Sequence, residues 1–217
     1  MSQRNNFALL FVLLSSILSY TNAQDRMIYG TGIDITKYPH SVAIFIKQVY
    51  NCVGSIVGPK SVVTVAHCVA YELPQDVSVI AGATNIYTEV GQRPRVAEII
   101  PHHDYTAQTQ FLDIAVVKLT ESFKDDGIAK IIPLCDDQLK PGEWMAVTGW
   151  GAAHKDDKTC SPILIGSGKE LQFGDTGAGG VIDGRLCAVA QRIMDDSEDI
   201  YLNVANPRVG DFIRKWM

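Results

Sequence analysis

Short runs of β-branched and apolar residues recur along this chain behind turn-forming residues, and they decide its fold class. Examples are Ser41–Ile46, Ser61–Val65, Val77–Ile80, Val96–Ile100 and Ile114–Leu119, followed by Met145–Thr148, Leu186–Ala190 and Ile200–Val204. Runs of this length and spacing predict an all-β sandwich or barrel rather than alternating βαβ units. The end of the chain breaks the pattern. Val209, Phe212, Ile213 and Trp216 recur at helical spacing behind Pro207, a residue suited to a first helical turn, so a short C-terminal helix is predicted to cap the sheets.

The first two dozen residues stand apart from that pattern. Arg4 precedes an almost unbroken apolar run over Phe7–Leu18, and the small and polar residues Thr21, Asn22 and Ala23 follow. This is the layout of a secretory signal peptide over residues 1–23, cleaved before Gln24. The apolar run is too short to span a bilayer, so the mature chain is expected to be secreted with no membrane anchor. What remains is long enough for one large β domain with its own core. The net charge of −5 and the lack of a basic run argue against a nucleic-acid partner. The five cysteines fit an oxidising compartment, but an odd number cannot all pair within the chain. With no Asn-x-Ser/Thr sequence, N-glycosylation is not expected.

Candidate chemistry lies in a few segments. His67 sits in Val63-Thr64-Val65-Ala66-His67-Cys68, downstream of Asn51-Cys52-Val53-Gly54-Ser55-Ile56. Asp113 opens Asp113-Ile114-Ala115-Val116-Val117-Lys118-Leu119. Glycines flank a tryptophan in Thr148-Gly149-Trp150-Gly151, and a glycine-rich loop reads Gly174-Asp175-Thr176-Gly177-Ala178-Gly179-Gly180. Taken singly, a His, an Asp and a hydroxyl are ordinarily structural. Their contexts and their order change the reading.

Together with Tyr38-Pro39-His40-Ser41-Val42, these segments resemble the trypsin-like serine proteases over nearly the whole mature chain. The resemblance implies two packed antiparallel six-stranded β-barrels with a short C-terminal helix, a propeptide at residues 24–26 and a protease domain over 27–217. It implies that His67 is the general base, oriented by Asp113, and that Thr176 stands at the nucleophile position. Gly174 and Thr176 would supply oxyanion-hole N–H groups, and Cys52 and Cys68 would form the disulfide of the histidine loop. Asp175 would pair with a new N-terminus cut after Arg26. That terminus would read Met27-Ile28-Tyr29-Gly30, with the basic residue out of register for the Ile-Val-Gly-Gly start the family uses.

The departures bear on activity. Thr176 replaces the family's serine. Threonine still carries a hydroxyl, but its χ1 is restricted, and one methyl forced into a packed site costs about 1–3 kcal/mol. Each ~1.4 kcal/mol on a barrier is about tenfold in rate. Gln191-Arg192-Ile193 falls where trypsin has Ser-Trp-Gly, so Ile193 replaces one glycine of the specificity pocket, and Asp199 replaces another. Glycine leaves room for a ligand against bare backbone, whereas isoleucine and aspartate fill that room. Glu170 falls at the pocket base, behind a filled entrance.

The supporting framework also differs. The segment between Gly151 and Gly174 is short for the family, Gln172 replaces a cysteine, and Met145 and Ile182 replace two cysteines that pair in many relatives. Cys135, Cys160 and Cys187 are left as buried thiols or as partners in an intermolecular disulfide. His102-His103-Asp104 matches a turn that the family carries and fits no common metal spacing, so no metal and no cofactor is expected. The resemblance with these departures implies a secreted, non-catalytic homologue of arthropod type. Its partner would be an extracellular protein: a protease, zymogen, inhibitor or receptor. The alternative is a weak endopeptidase using Thr176.

Overall fold

A computed structural model of the chain describes residues 31–140, 143–152, 160–167, 174–192 and 199–217. The predicted signal peptide and propeptide lie outside these residues, as do Glu170, Gln172 and Ile193.

Two six-stranded antiparallel sheets form the body. The first contains β2 (Ser41–Ile46), β3 (Val49–Gly58), β4 (Ser61–Thr64), β5 (Val77–Ala81), β6 (Val96–Pro101) and β7 (Ala115–Leu119), in the order β5-β2-β3-β4-β7-β6. A bridge between Ser78 and Arg95 joins its outer strands and curls it into a barrel. The second contains β1 (Thr31–Gly32), β8 (Ala146–Gly149), β9 (Ile165–Ser167), β10 (Gly179–Ile182), β11 (Arg185–Arg192) and β12 (Ile200–Asn203), in the order β1-β9-β8-β10-β11-β12. Every strand pair within the two sheets is antiparallel. The predicted all-β fold with two sheets and a terminal helix is therefore the observed one.

The strands missing from the sequence reading are the ones whose composition hides them. Asn51, Gly54 and Ser55 interrupt the apolar pattern of β3, and β9 and β10 are rich in glycine. Packing overrides propensity there. Gly54 sits where a Cβ would collide with the Val62 side chain on β4. The β2–β3 hairpin turns through Lys47 and Gln48, both at positive φ, as a tight two-residue hairpin turn requires.

The short helix α1 (Ala66–Val69) follows β4, and α2 (Pro207–Lys215) closes the chain. In α2 the Asn206 side chain accepts a hydrogen bond from the Arg208 N–H, and Pro207 occupies the first turn. Val209, Phe212 and Ile213 are buried, which is the stripe the helical period predicts.

Two apolar clusters hold the body together. One fills the first barrel and reaches α2. The other joins the two sheets and includes Phe45, Tyr50 and Val53 from the first with Val147, Trp150, Leu164 and Ala178 from the second. Trp150 is fully buried, and its indole N–H donates to the Thr84 carbonyl at 2.9 Å. Burying an indole without such a partner would cost free energy.

The cysteines differ from expectation. Cys135 and Cys187 form a disulfide, with Cα atoms 4.8 Å apart, instead of remaining thiols. The segment before β8 lies beside β11, with Cys135 N–H on the Leu186 carbonyl and Leu186 N–H on the Pro133 carbonyl. That pairing brings together residues far apart in sequence, which spacing alone could not reveal.

His40 is a buried histidine at 5% exposure. One ring nitrogen lies 3.3 Å from the Ser55 hydroxyl, and the other has no partner among the described residues. Burial disfavours the imidazolium and pushes the His40 pKa down to about 4 from 6.5. The unfolded chain therefore takes up this proton first. Stability from this residue is fully present above about pH 6.5 and falls as pH drops toward 4, by up to about 3 kcal/mol. In urea denaturation, the stability of the native chain minus that of His40→Leu should rise over that window and flatten above it. A difference independent of pH would contradict the assignment.

Candidate active site

His67 lies on α1, directly after β4, and its position is fixed from two sides. The Cys52–Cys68 disulfide joins α1 to β3, as the resemblance implied. Asp113, just ahead of β7, holds the histidine through both carboxylate oxygens. The His67 backbone N–H donates to Oδ1 at 2.8 Å, and ring Nδ1 donates to Oδ2 at 2.6 Å. A carboxylate acceptor at Nδ1 places the proton there and leaves the Nε2 lone pair available. Asp113 is fully buried, while the His67 side chain is 32% exposed. A buried charge needs partners, and the two N–H donors of His67 supply them. The result is an imidazole partly open to solvent and held from behind.

Thr176 sits half-buried in a loop between left-handed glycines, Gly174 at φ +93 and Gly177 at φ +88. Its carbonyl accepts from the Val53 N–H on β3 at 2.9 Å. Ala178 N–H caps the turn on the Asp175 carbonyl, and Gly177 N–H donates to Ala190 on β11. Gly177 has no freedom to be another residue. A Cβ there would strike the Val53 carbonyl and the Thr64 hydroxyl, which itself donates to that carbonyl at 2.7 Å. The Gly174 carbonyl accepts from the Tyr50 hydroxyl at 2.7 Å. Burial first, and then the Asp175 charge, raise the Tyr50 pKa, so this phenol stays a donor.

The Thr176 loop and the His67–Asp113 pair thus meet on β3: Val53 holds the loop, and neighbouring Cys52 holds α1. The structure joins His67 to Asp113 directly. Among the described residues no hydrogen bond links the Thr176 hydroxyl to His67, and the N–H groups of Gly174 and Thr176 have no acceptor.

Asp175 is buried at 7% exposure. Gly151 N–H donates to its Oδ1 at 2.9 Å. The carboxylate fits because Gly149 and Gly151 are both glycines, since a Cβ on either would overlap it. This accounts for the glycines around Trp150. Asp199 is half-buried just ahead of β12. It shares a neighbourhood with Tyr201, whose phenol pKa is raised by burial first and then by the Asp199 and Asp175 charges.

His102 and His103 stack with ring centroids 4.3 Å apart, but both nitrogens of His102 are engaged. Its Nε2 donates to the Arg208 carbonyl, and its Nδ1 accepts from the Asp104 N–H. Asp104 in turn pairs with the Arg208 guanidinium at 2.5 Å. These contacts hold α2 against the end of β6.

Sequence reasoning missed several residues around this site. Tyr50 and Thr64 brace the loop, yet neither belongs to a recognisable pattern. Gln191 also escaped notice as a contact: its side-chain Nε2 donates to the Gln110 carbonyl at 2.7 Å, linking the two sheets.

The family model described as Trypsin matches residues 27–193, most of the chain. The chain belongs to the trypsin family. Among curated relatives, it is 29% identical over 190 residues to Serine protease Hayan of Drosophila melanogaster, covering 77% of this chain and 30% of that protein. It is 31% identical over 130 residues to Trypsin theta of the same species, covering 59% of this chain and 49% of that one. Trypsin of Sarcophaga bullata is 28% identical over 186 residues, covering 84% and 69%. This trypsin-family chain therefore spans less than half the length of the first two relatives. Of solved structures, scabies mite inactivated protease paralogue S-D1 superposes with a TM-score of 0.78 at 24% identity, covering 87% of this chain and 98% of that one. Mouse neuropsin superposes at 0.76 with 21% identity, covering 86% and 97%. At these identities the superpositions establish the fold.

The loop geometry carries a stability prediction. Gly177→Ala combines left-handed backbone with a collision and should cost roughly 3 kcal/mol or more. Gly184 has φ +74 with nothing within 4 Å of a built Cβ, so Gly184→Ala should cost only about 1–2 kcal/mol. Denaturant midpoints of the two variants measure the gap, and equal losses would mean that the close approach to Val53 is not a constraint.

Proposed function

We propose that this chain is a secreted, non-catalytic member of the trypsin family that acts by binding an extracellular protein partner. One observation carries the reading: position 176, in the glycine-rich loop held by Val53, is a threonine, while His67 and Asp113 are paired as a general base would require. A threonine hydroxyl must reach Nε2 of His67 with its methyl group fitted into the same packed loop. The strain of about 1–3 kcal/mol corresponds to roughly 5- to 150-fold in rate. By the sequence correspondence Asp199, Ile193 and Glu170 further alter the specificity pocket. The oxidising compartment suggested by the cysteines supports secretion. On this reading Gly174 and Asp175 are kept for the shape of the loop, and surface loops around the cleft meet the partner.

A second reading is favoured by the intact His67–Asp113 pair. In a weak endopeptidase, His67 Nε2 would take the Thr176 hydroxyl proton as Oγ1 attacked the scissile carbonyl. Asp113 would stabilise the imidazolium, and the proton would then pass to the leaving amine. The N–H groups of Gly174 and Thr176 would face the developing oxyanion.

A fluorophosphonate probe separates the two. The native protein, cut after Arg26, should show no covalent adduct at Thr176 by mass spectrometry, whereas an adduct there would establish the weak protease. Thr176→Ser alone should leave peptide-library hydrolysis near background, and adding Ile193→Gly and Asp199→Gly should raise it. Full activity from the single change would rule out a blocked pocket. Affinity capture from the native fluid should recover a reproducible extracellular protein, and the absence of one would count against the binding role.

A further inference from the structure

A cavity of about 480 Å³ opens where the two sheets meet, and none of its described lining residues belongs to the candidate active site. Its walls are aliphatic. Pro39, just ahead of β2, lines it together with Ile131, Ile132 and Pro133, and β8 and β10 contribute Ala146 and Val181. Backbone bonds fix these walls in place. Lys130 N–H donates to the Pro39 carbonyl and Ile132 N–H to the Ile56 carbonyl, both at 2.9 Å. Leu186 N–H donates to the Pro133 carbonyl at 2.8 Å. The cavity is therefore formed by the fold itself, as small-molecule sites usually are.

Among the described residues, His40 is the buried polar side chain that lines this cavity. Its Nδ1 lies 3.3 Å from the Ser55 hydroxyl, and its Nε2 is buried with no hydrogen-bond partner among the described residues. The pair has room because position 179 is glycine: a Cβ there would overlap the Ser55 hydroxyl and meet the His40 ring. A neutral imidazole carries one N–H, and a serine hydroxyl can donate or accept. With Ser55 donating to Nδ1, the proton sits on Nε2, and a buried N–H without an acceptor is costly. The polar rim favours one sign of charge. Exposed Lys37 and Lys130 set two ammonium groups against the one carboxylate of Asp183, so the opening attracts an anion.

We propose that this cavity is a binding site for an aliphatic carboxylic acid. The carboxylate accepts from His40 Nε2–H, and the ammonium groups of Lys37 and Lys130 reach it on their flexible stems. The alkyl chain lies along the proline, isoleucine and valine walls, where its burial is favourable. Each part of the ligand answers one observation: the chain answers the apolar walls, and the anionic head answers the unpartnered nitrogen and the cationic rim. The inference does not depend on whether Thr176 reacts.

Octanoate is the probe, titrated into the folded protein carrying isotope-labelled histidine and followed by NMR and calorimetry. Octanoate should shift the His40 ring resonances saturably, along the calorimetric binding curve, and leave those of His67 in place. Octanol lacks the carboxylate and acetate lacks the chain, so each should bind at least about tenfold more weakly. Replacing both exposed lysines, Lys37→Ala with Lys130→Ala, should weaken octanoate about tenfold and leave octanol unchanged. His40→Leu should weaken octanoate about tenfold or more, as the loss of a charge-assisted hydrogen bond does. If that variant does not fold, the native spectra and the lysine variant decide. No saturable binding, or binding that leaves the His40 resonances unmoved, would overturn the proposal. Octanol binding as tightly as octanoate would do the same, because apolar burial alone would then explain it. So would a lysine double variant that binds octanoate like the native chain, or a His40 signal that responds only to exchange with solvent water.

Discussion

The hydrogen bond from Val53 N–H to the Thr176 carbonyl is where the two halves of the candidate site are joined. It fixes the glycine loop of the second sheet against the central strand of the first. The neighbouring Cys52 reaches α1 through its disulfide, so one short stretch of β3 holds both the Thr176 loop and the helix that carries His67. Much follows from how close that approach is. Gly177 must be glycine because the Val53 carbonyl and the Thr64 hydroxyl occupy the space of a side chain. Asp175 then points back into the body, and Gly149 and Gly151 must be glycines to receive it.

This dependence separates the part of the site kept by folding from the part kept by chemistry. The glycines, Asp175, the disulfide and Tyr50 all have structural reasons to persist, whatever occupies position 176. The buried charge of Asp113 likewise depends on its two donors from His67, because an unpaired buried carboxylate would cost several kcal/mol. Losing His67 while keeping Asp113 would therefore cost stability, whatever the chemistry of the site. Threonine at 176 fits that division. It keeps a carbonyl for Val53, which is what the fold uses, and changes the side chain, which only chemistry would need.

Much of this was legible in the sequence because it obeys short-range rules. Pro207 and the apolar period named α2, the β-branched runs named most strands, and His67, Asp113 and the glycine loop stood in recognisable contexts. What escaped was set by long-range contact. Strand β3 was broken up by Asn51, Gly54 and Ser55, whose reasons lie on neighbouring strands. Cys135 and Cys187 pair because the segment before β8 runs beside β11. The Gln191 carboxamide meets a backbone carbonyl, and a carbonyl leaves no mark in a sequence. Glu170 and Ile193 fall outside the described residues, so their place in the pocket rests on the sequence correspondence.

The proposed function requires that the site keeps its His67–Asp113 pair but performs no acyl transfer. Active-site titration with a chromogenic acyl ester tests it most directly, since a competent nucleophile releases a burst of leaving group as the acyl-enzyme accumulates. For the native protein cut after Arg26, the account predicts no burst above the uncatalysed rate. A burst approaching one equivalent per chain, with the acyl group located on Thr176, would contradict it.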